Sequence, residues 1–168
     1  DVPAFEGLSL REKLFVYYLS RAALAGRDIL WDQNNKYNLR VRAALESILR
    51  AYQGNRETEE FQAFLVYAKK VFFANGVHHH YSMEKFTPSF TPEYFKSLLR
   101  EVGAQQLYEE VERVIFDPEY MAKRVVLDEG KDLVQASANH YYEGVTQEEV
   151  EKFYGERKKE NALLSWGL

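Results

Sequence analysis

Three consecutive histidines, His78, His79 and His80, are the residues of this 168-residue sequence with the clearest capacity for chemistry. Imidazole titrates near neutral pH and binds metal ions, so such a run suits a general base or a metal site. A zinc protease helix needs two histidines one turn apart with a glutamate beside the first. No histidine here is followed by glutamate, and the fourth histidine, His140, is distant. Because adjacent side chains diverge in regular backbone, we expect no native metal site at this run.

The surroundings of the run indicate either of two roles. A polar loop whose imidazoles bond nearby backbone groups is the simpler interpretation, since no nucleophile or orienting partner is evident in the sequence. The alternative is a loop that contacts a polar, chain-like ligand, because a helix stop, a glycine, three rings, a tyrosine and a serine follow one another. None of these residues is predicted to be catalytic or to hold a metal. The predicted ligand contacts are Asn75, Gly76, His78, His79, His80, Tyr81, Ser82 and Lys85.

Asp28 and Asp32 form a second candidate site. If the segment is helical, their four-residue spacing places both carboxylates on one face, which suits a divalent cation or an arginine partner. We favour helix capping or ion pairing around a partly buried tryptophan. The residues available for that arrangement are Arg27, Arg40, Arg42 and Trp31.

Composition excludes several classes of protein. A net charge of −4 argues against binding of nucleic acid through phosphate contacts. The absence of cysteine excludes disulfides and thiolate chemistry, and it fits a cytoplasmic location, or a periplasmic one if an export signal was removed. No apolar stretch approaches the roughly 20 residues that cross a bilayer, so no membrane partner is expected.

Helix signals dominate the chain and predict a mainly α fold: one irregular domain over residues 1–168, with about seven helices and possibly one or two short strands. Capping boxes at Ser9–Glu12 and Thr146–Glu149 start two of the helices. Asn75-Gly76 ends the helix before the histidines. The helical stripes of Phe and Tyr are predicted to be core residues. In the first helix this stripe comprises Leu14, Tyr17, Tyr18, Ala22 and Leu24.

Other segments carry weaker signals. Residues 27–38 read as irregular, with Asn38 as a helix cap, and Asp117-Pro118-Glu119 reads as the start of a sixth helix. Residues 124–130 read as a short strand or a helix end, within a poorly patterned region, 124–145. The terminal run NALLSWGL is apolar, so we expect a chain cut within a larger structure. Its Leu163, Leu164 and Trp166 would then pack against elements absent from this chain.

Long ordered strings in the sequence resemble a known family. EFQAFLVYAKKVFFANGVHHHYSMEKFTPSF and LSLREKLFVYYLSRAALAGRDILWDQNNKYNLRVR are similar to the N-terminal part of the dipeptidyl peptidase III family, the zinc-dependent M49 peptidases, in their bacterial form. GVTQEEVEKFYGERKKENALLSWGL resembles the stretch just downstream. The resemblance covers nearly all of the chain in order, with only residues 105–135 indistinct.

This resemblance implies a two-lobed metallopeptidase that removes dipeptides from the N-terminus of oligopeptides. The family's zinc is held by a His-Glu-x-x-Gly-His motif and a later glutamate, and this sequence lacks that motif. The resemblance therefore implies a fragment that is inactive alone and binds no zinc. Its partners would be an oligopeptide and the C-terminal catalytic lobe of the same polypeptide. The loop from His78 to Ser82 would line the peptide cleft, with an aromatic ring at Tyr81. The alternative is a freestanding helical interaction module without catalysis.

Overall fold

The computed structural model describes residues 2–160, with side chains described up to residue 158. No β-strand occurs in this range, and two isolated antiparallel bridges, His78 with Lys85 and Glu84 with Lys123, take the place of the short strands considered above. The prediction of a mainly α fold is confirmed. The helices are α1 Pro3–Glu6, α2 Leu10–Ala25, α3 Arg27–Asn34, α4 Asn38–Ala51, α5 Glu59–Ala74, α6 Pro92–Glu101, α7 Gln106–Phe116, α8 Leu133–Ala136 and α9 Gln147–Glu160.

The core lies around α4, which packs against α3, α5, α6 and α7. Its apolar residues Leu45 and Ile48 are fully buried. Aromatic rings fill the space between α5 and α6, where Phe64 has its ring centroid 6.4 Å from that of Phe95 and 5.9 Å from that of Phe90. Each such ring removes a large apolar area from water, so this cluster supplies much of the driving force for folding.

Most of the predicted helix ends are confirmed. The Ser9 hydroxyl accepts from the Glu12 amide while the Glu12 carboxylate accepts from the Ser9 amide. Thr146 and Glu149 exchange the same pair of bonds. Each box satisfies two amides that have no partner within the helix. Asn75 ends α5 in the left-handed conformation, at φ 53°.

Two expectations for residues 27–38 are wrong. The segment is helical from Arg27 to Asn34, because Gly26 adopts right-handed helical angles that join α3 to α2 and because Trp31 is buried. Asn38 is not a cap but the first residue of α4. Its amide group donates to the Trp31 carbonyl (3.0 Å) and accepts from the Val77 amide (3.1 Å).

The predicted sixth helix at Asp117 is also wrong. The Asp117 carboxylate accepts from the backbone amides of Glu119 (3.0 Å) and Tyr120 (3.2 Å), which makes a local turn in place of a helix. Residues 124–130 form neither a strand nor a helix end. Within 124–145 the only helix is the four-residue α8, which Asp132 caps by accepting from two amides.

The apolar stripe predicted as core in the first helix is the largest departure. No residue of α2 is buried, so the prediction that this stripe belongs to the core is wrong for the part of the chain that the structure describes. The apolar residues surround the helix and offer no single face to the domain. The expected packing of Leu163, Leu164 and Trp166 lies outside the described residues. The large exposed apolar side chains of α2 are Leu10, Leu14, Phe15, Val16, Tyr17, Tyr18, Leu19 and Leu24.

No helix between residues 2 and 160 combines the length and apolar character that a bilayer crossing requires.

Gly76→Ala tests the junction between α4 and the segment after α5. Gly76 has a φ of 153°, and a Cβ there would collide with the Asn38 amide group, which its own two bonds hold in place. We expect a loss of about 2–4 kcal/mol in the free energy of unfolding, measured by urea denaturation. Gly130→Ala is the control, because φ is also positive there (79°) but space is open, and about 1 kcal/mol is expected. Equal losses in the two variants would contradict a specific role for Asn38.

Candidate functional site

The three histidines lie in a tight loop, residues 75–86, which we call the histidine loop. The backbone turns back on itself, so that the Phe86 amide donates to the Val77 carbonyl (2.8 Å) and the His79 amide donates to the Glu84 carbonyl (2.8 Å). Met83 completes the turn with a positive φ of 64°. The hydrogen bonds give the loop a fixed shape.

A second segment, residues 117–124, anchors the histidine loop from outside. The Lys85 amide donates to the Ala122 carbonyl (3.1 Å), and the Arg124 amide donates to the Met83 carbonyl (2.9 Å). The Arg124 guanidinium also donates to the His80 carbonyl (3.2 Å) and to the Asn34 side chain (3.1 Å). Sequence analysis missed Arg124, since residues so far apart in the chain leave no local signal of their contact.

His78 points into the domain. Its side chain is buried, and its Nε2 donates to the Met121 carbonyl at 2.7 Å, whereas its Nδ1 is buried without a partner. Burial lowers the pKa of His78 to about 4, against the hydrogen bond to Met121, which favours the charged form. At neutral pH the ring is therefore uncharged, and it supports the loop from inside the domain rather than facing a ligand.

Lys85 is also directed inward. Its half-buried ammonium group donates to the backbone carbonyls of Asp117 and Tyr120, the second at 2.6 Å. Burial lowers the pKa of Lys85, while the nearby carboxylates of Asp117 and Glu119 act in the opposite direction. The lysine thus fastens the histidine loop to the turn after α7.

His79 shapes the tip of the histidine loop. Its Nδ1 accepts from the backbone amides of Tyr81 (3.2 Å) and Ser82 (3.1 Å). The interpretation that these imidazoles bond local backbone groups is confirmed for this residue. His80 stacks on His79, with ring centroids 4.9 Å apart and an interplanar angle of 22°.

The exposed rings of Phe73 and Tyr81 and the half-buried ring of His80 form an aromatic surface, which we call the aromatic platform. The centroid of the His80 ring lies 4.2 Å from that of Tyr81 and 5.2 Å from that of Phe73. Tyr81 is 81% exposed and Phe73 is 76% exposed. Sequence analysis missed Phe73. The available signal was its position one turn after Lys69 and Lys70, on the polar side of α5, where a core residue is not expected.

The predicted contact residues therefore divide into two groups. Tyr81 and Ser82 are exposed, and His79 and His80 are half-buried. Gly76, His78 and Lys85 hold the loop from within, and Asn75 ends α5 and accepts at its carbonyl from the Asn34 side chain (3.1 Å). The outer group offers stacking surfaces and hydrogen-bonding groups, which suit binding rather than catalysis.

The second candidate site is an ion pair. Asp28 contacts the Arg42 guanidinium at 2.6 Å, and Trp31 lies beneath that guanidinium, which is 5.5 Å from the centre of its ring. Asp32 lies 3.5 Å from His140. The pairing interpretation is confirmed for Asp28. Among the described residues, no three His, Asp or Glu side chains converge in a way that could hold a metal ion.

His78 predicts a pH-dependent stability. Its pKa is about 4 in the folded chain and about 6.5 when unfolded, so between these values the unfolded chain binds more protons. The stability that His78 contributes is present above about pH 6.5 and is lost as the pH falls towards 4, by up to about 3 kcal/mol. Urea denaturation of wild type and His78→Gln at pH 7 and pH 4.5 measures this loss. Glutamine keeps a donor for Met121 but does not titrate, so an equal loss in both proteins would exclude His78 as its source.

Comparison with known proteins gives a partial match. No protein-family model matches the chain. The chain is 34% identical to dipeptidyl peptidase 3 from Homo sapiens over a 119-residue alignment, which covers 64% of this chain and 16% of the human protein. It is 33% identical to dipeptidyl peptidase 3 from Rattus norvegicus over an alignment with the same coverage. The chain thus spans about 16% of the length of these curated relatives. It is distantly related to proteins named as dipeptidyl peptidases.

Proposed function

We propose that this chain is the N-terminal part of a zinc-dependent dipeptidyl peptidase of the M49 family, in its bacterial form. The complete enzyme would remove dipeptides from the N-terminus of oligopeptides, and this part would supply scaffold and one wall of the peptide cleft. Two features support the proposal: the similarity to mammalian dipeptidyl peptidase 3 and the exposed aromatic platform. The absence of cysteine suits a cytoplasmic enzyme.

The aromatic platform is the observation that carries the cleft-wall role. An extended peptide presents apolar side chains and backbone carbonyls, and Tyr81 offers a ring face for the former and a hydroxyl donor for the latter. Ser82 adds a second exposed hydroxyl. His78 and Lys85 of the loop, together with Arg124 from residues 117–124, already fix the shape of the loop. A peptide that binds there would therefore not have to order the loop, which lowers the cost of binding.

The described residues do not fit the zinc ion of the proposed enzyme. Two buried imidazole nitrogens of the loop, His78 Nδ1 and His80 Nδ1, lack a hydrogen-bond partner, and the described residues hold no group of three metal-ligating side chains at either of them. The sequence also lacks the His-Glu-x-x-Gly-His motif. We therefore assign zinc binding to the remainder of the proposed enzyme and derive no catalytic step from this chain.

A freestanding interaction module is the second candidate function. The exposed apolar surface of α2 favours it, because a binding module presents such a surface to a partner. Kinetics of the complete protein distinguish the two functions, since only the peptidase has a substrate that contacts the aromatic platform.

The 168-residue chain alone is expected to lack both stoichiometric zinc and dipeptide release. The physical reason is the lack of converging ligands among the described residues. Metal analysis after dialysis against a chelator should return well below one zinc per chain, and a dipeptidyl-naphthylamide should not be hydrolysed. One tightly bound zinc per chain, together with hydrolysis, would refute the proposal that zinc binding belongs to the remainder of the enzyme.

Tyr81→Ala tests the cleft wall in the complete enzyme. Loss of the ring and hydroxyl should remove on the order of 1 kcal/mol of substrate binding, seen as a several-fold rise in KM at unchanged zinc content. Tyr141→Ala is the matched control, because Tyr141 is also an exposed tyrosine (56%) but lies outside the histidine loop. Its KM should equal that of wild type.

Alanine variants of the three histidines complete this test. Each should have only a small effect on kcat, smaller than the effect of Tyr81→Ala on KM. His78→Ala should also destabilise the fold, because the His78 ring is buried. A histidine variant that abolishes kcat at normal zinc occupancy, together with a Tyr81→Ala variant that behaves as wild type, would identify a catalytic base and disprove the cleft-wall role.

A further inference from the structure

A cleft adjoins the aromatic platform, between α3, α4 and the end of α5. It has a volume of about 470 Å³ and is partly open to solvent. Volumes of roughly 300–1,000 Å³ are usual for ligand sites. Phe73 lines this cleft and also belongs to the aromatic platform, so a ligand that lies on the platform can extend into the cleft.

Aromatic rings and hydrogen-bond donors line the cleft together. The rings of Trp31 and Phe72 meet edge to face, with their centroids 6.0 Å apart. The Arg42 guanidinium lies over the Trp31 ring. The side-chain amide of Asn75 makes no hydrogen bond among the described residues, although the backbone carbonyl of Asn75 accepts from Asn34. The cleft therefore offers a polar ligand donors beside a rigid apolar surface.

The charged groups around the cleft include one more cation than anions. Arg42 pairs with Asp28 (2.6 Å) and with Glu46 (2.8 Å). Arg50 pairs with the second oxygen of Glu46 (2.8 Å). Arg27 also lines the cleft, but it makes no ion pair within the part of the chain that the structure describes. These residues carry a net charge of +1, three positive minus two negative, which one further carboxylate would balance.

We propose that the cleft binds a carboxylate of the peptide that lies on the aromatic platform, with Arg27 as its principal contact. This inference rests on the proposed function, because it takes a peptide as the ligand. The carboxylate belongs to an acidic side chain or to the C-terminus, since both present the same two oxygens to a guanidinium. Arg27 thus contributes to specificity and takes no part in the chemical step.

Arg27, rather than Arg42, is available for this contact. A ligand could bind the Arg42 guanidinium only by displacing Asp28 or Glu46. Arg27 is exposed, so a carboxylate that binds it displaces water alone. A guanidinium donates two parallel hydrogen bonds to a carboxylate, whereas a neutral amide has one acceptor oxygen. The exposure of Arg27 also limits the gain, because water and salt weaken an exposed ion pair.

Matched peptides tested on the complete protein measure this specificity. In one series a single Glu is moved along a short peptide that contains one tyrosine, and each peptide is compared with its Gln counterpart. A second pair differs only in a free or amidated C-terminus. One position of Glu, or the free C-terminus, should improve binding by about three- to tenfold, and which of them does so identifies the source of the carboxylate. Binding is measured as KM where the peptides are hydrolysed and as a dissociation constant by calorimetry where they are not.

Arg27→Gln should abolish this preference, because glutamine keeps a hydrogen-bond donor but loses the charge. Arg27→Glu should instead favour a peptide with Lys in place of the preferred Glu. Arg27 is exposed, so both variants should fold, as circular dichroism can verify. Arg100→Gln is the matched control, because Arg100 is also an exposed arginine but lies on α6, outside the lining of the cleft. It should keep the wild-type preference, and rising salt should reduce that preference in both proteins.

The outcomes separate the carboxylate site from the peptidase. Hydrolysis with equal KM for acidic and neutral peptides would overturn the site and leave the peptidase function intact. A preference that depends on Arg27, without any hydrolysis, would support the site and contradict the peptidase. A preference that Arg27→Gln retains, one that Arg100→Gln also removes, or a protein that binds none of these peptides would each overturn the site.

Discussion

The side-chain amide of Asn38 is the interaction on which the arrangement of this domain depends. It joins the end of α3, through the Trp31 carbonyl, to the first residue of the segment after Gly76, through the Val77 amide. All of these groups lie in the interior, where an unpaired amide or carbonyl costs on the order of 1–3 kcal/mol. Only glycine at position 76 leaves room for this amide group. The bond therefore fixes where the histidine loop leaves α5.

Beyond this junction, the inner side of the histidine loop is polar and its outer side is aromatic. His78, Lys85 and Arg124 donate to backbone carbonyls of partly buried residues, which no strand ladder satisfies among the described residues. These three side chains, which carry charge or a movable proton, are thereby used for structure. What remains for contact with other molecules is a set of rings held at fixed positions, which is the property expected of a binding surface rather than of a reaction centre.

Local signals in the sequence predicted local features well. Capping boxes, the stop at Asn75-Gly76 and the threonine caps of α5 and α6 all involve residues within four positions of one another. Asn38 was misread because its type suits a cap and its real partners lie elsewhere in the fold. Asp117 was misread although its partners are local. A turn and the start of a helix both use bonds from backbone amides to a carboxylate, so the residue pattern does not distinguish them. The inward direction of His78 and Lys85 depends on contacts with residues 117–121, which no pattern in the sequence reveals.

The two exposed apolar surfaces, the aromatic platform and helix α2, differ in how the rest of the domain supports them. The aromatic platform lies on a loop that hydrogen bonds from His78, Lys85 and Arg124 hold in shape, so a ligand would not have to order it. Helix α2 has no comparable support, because none of its residues is buried and its hydrogen bonds to side chains lie at its first turn. An apolar helix without backing gains order only from whatever covers it. The aromatic platform is therefore preorganised for contact with another molecule, whereas α2 is not.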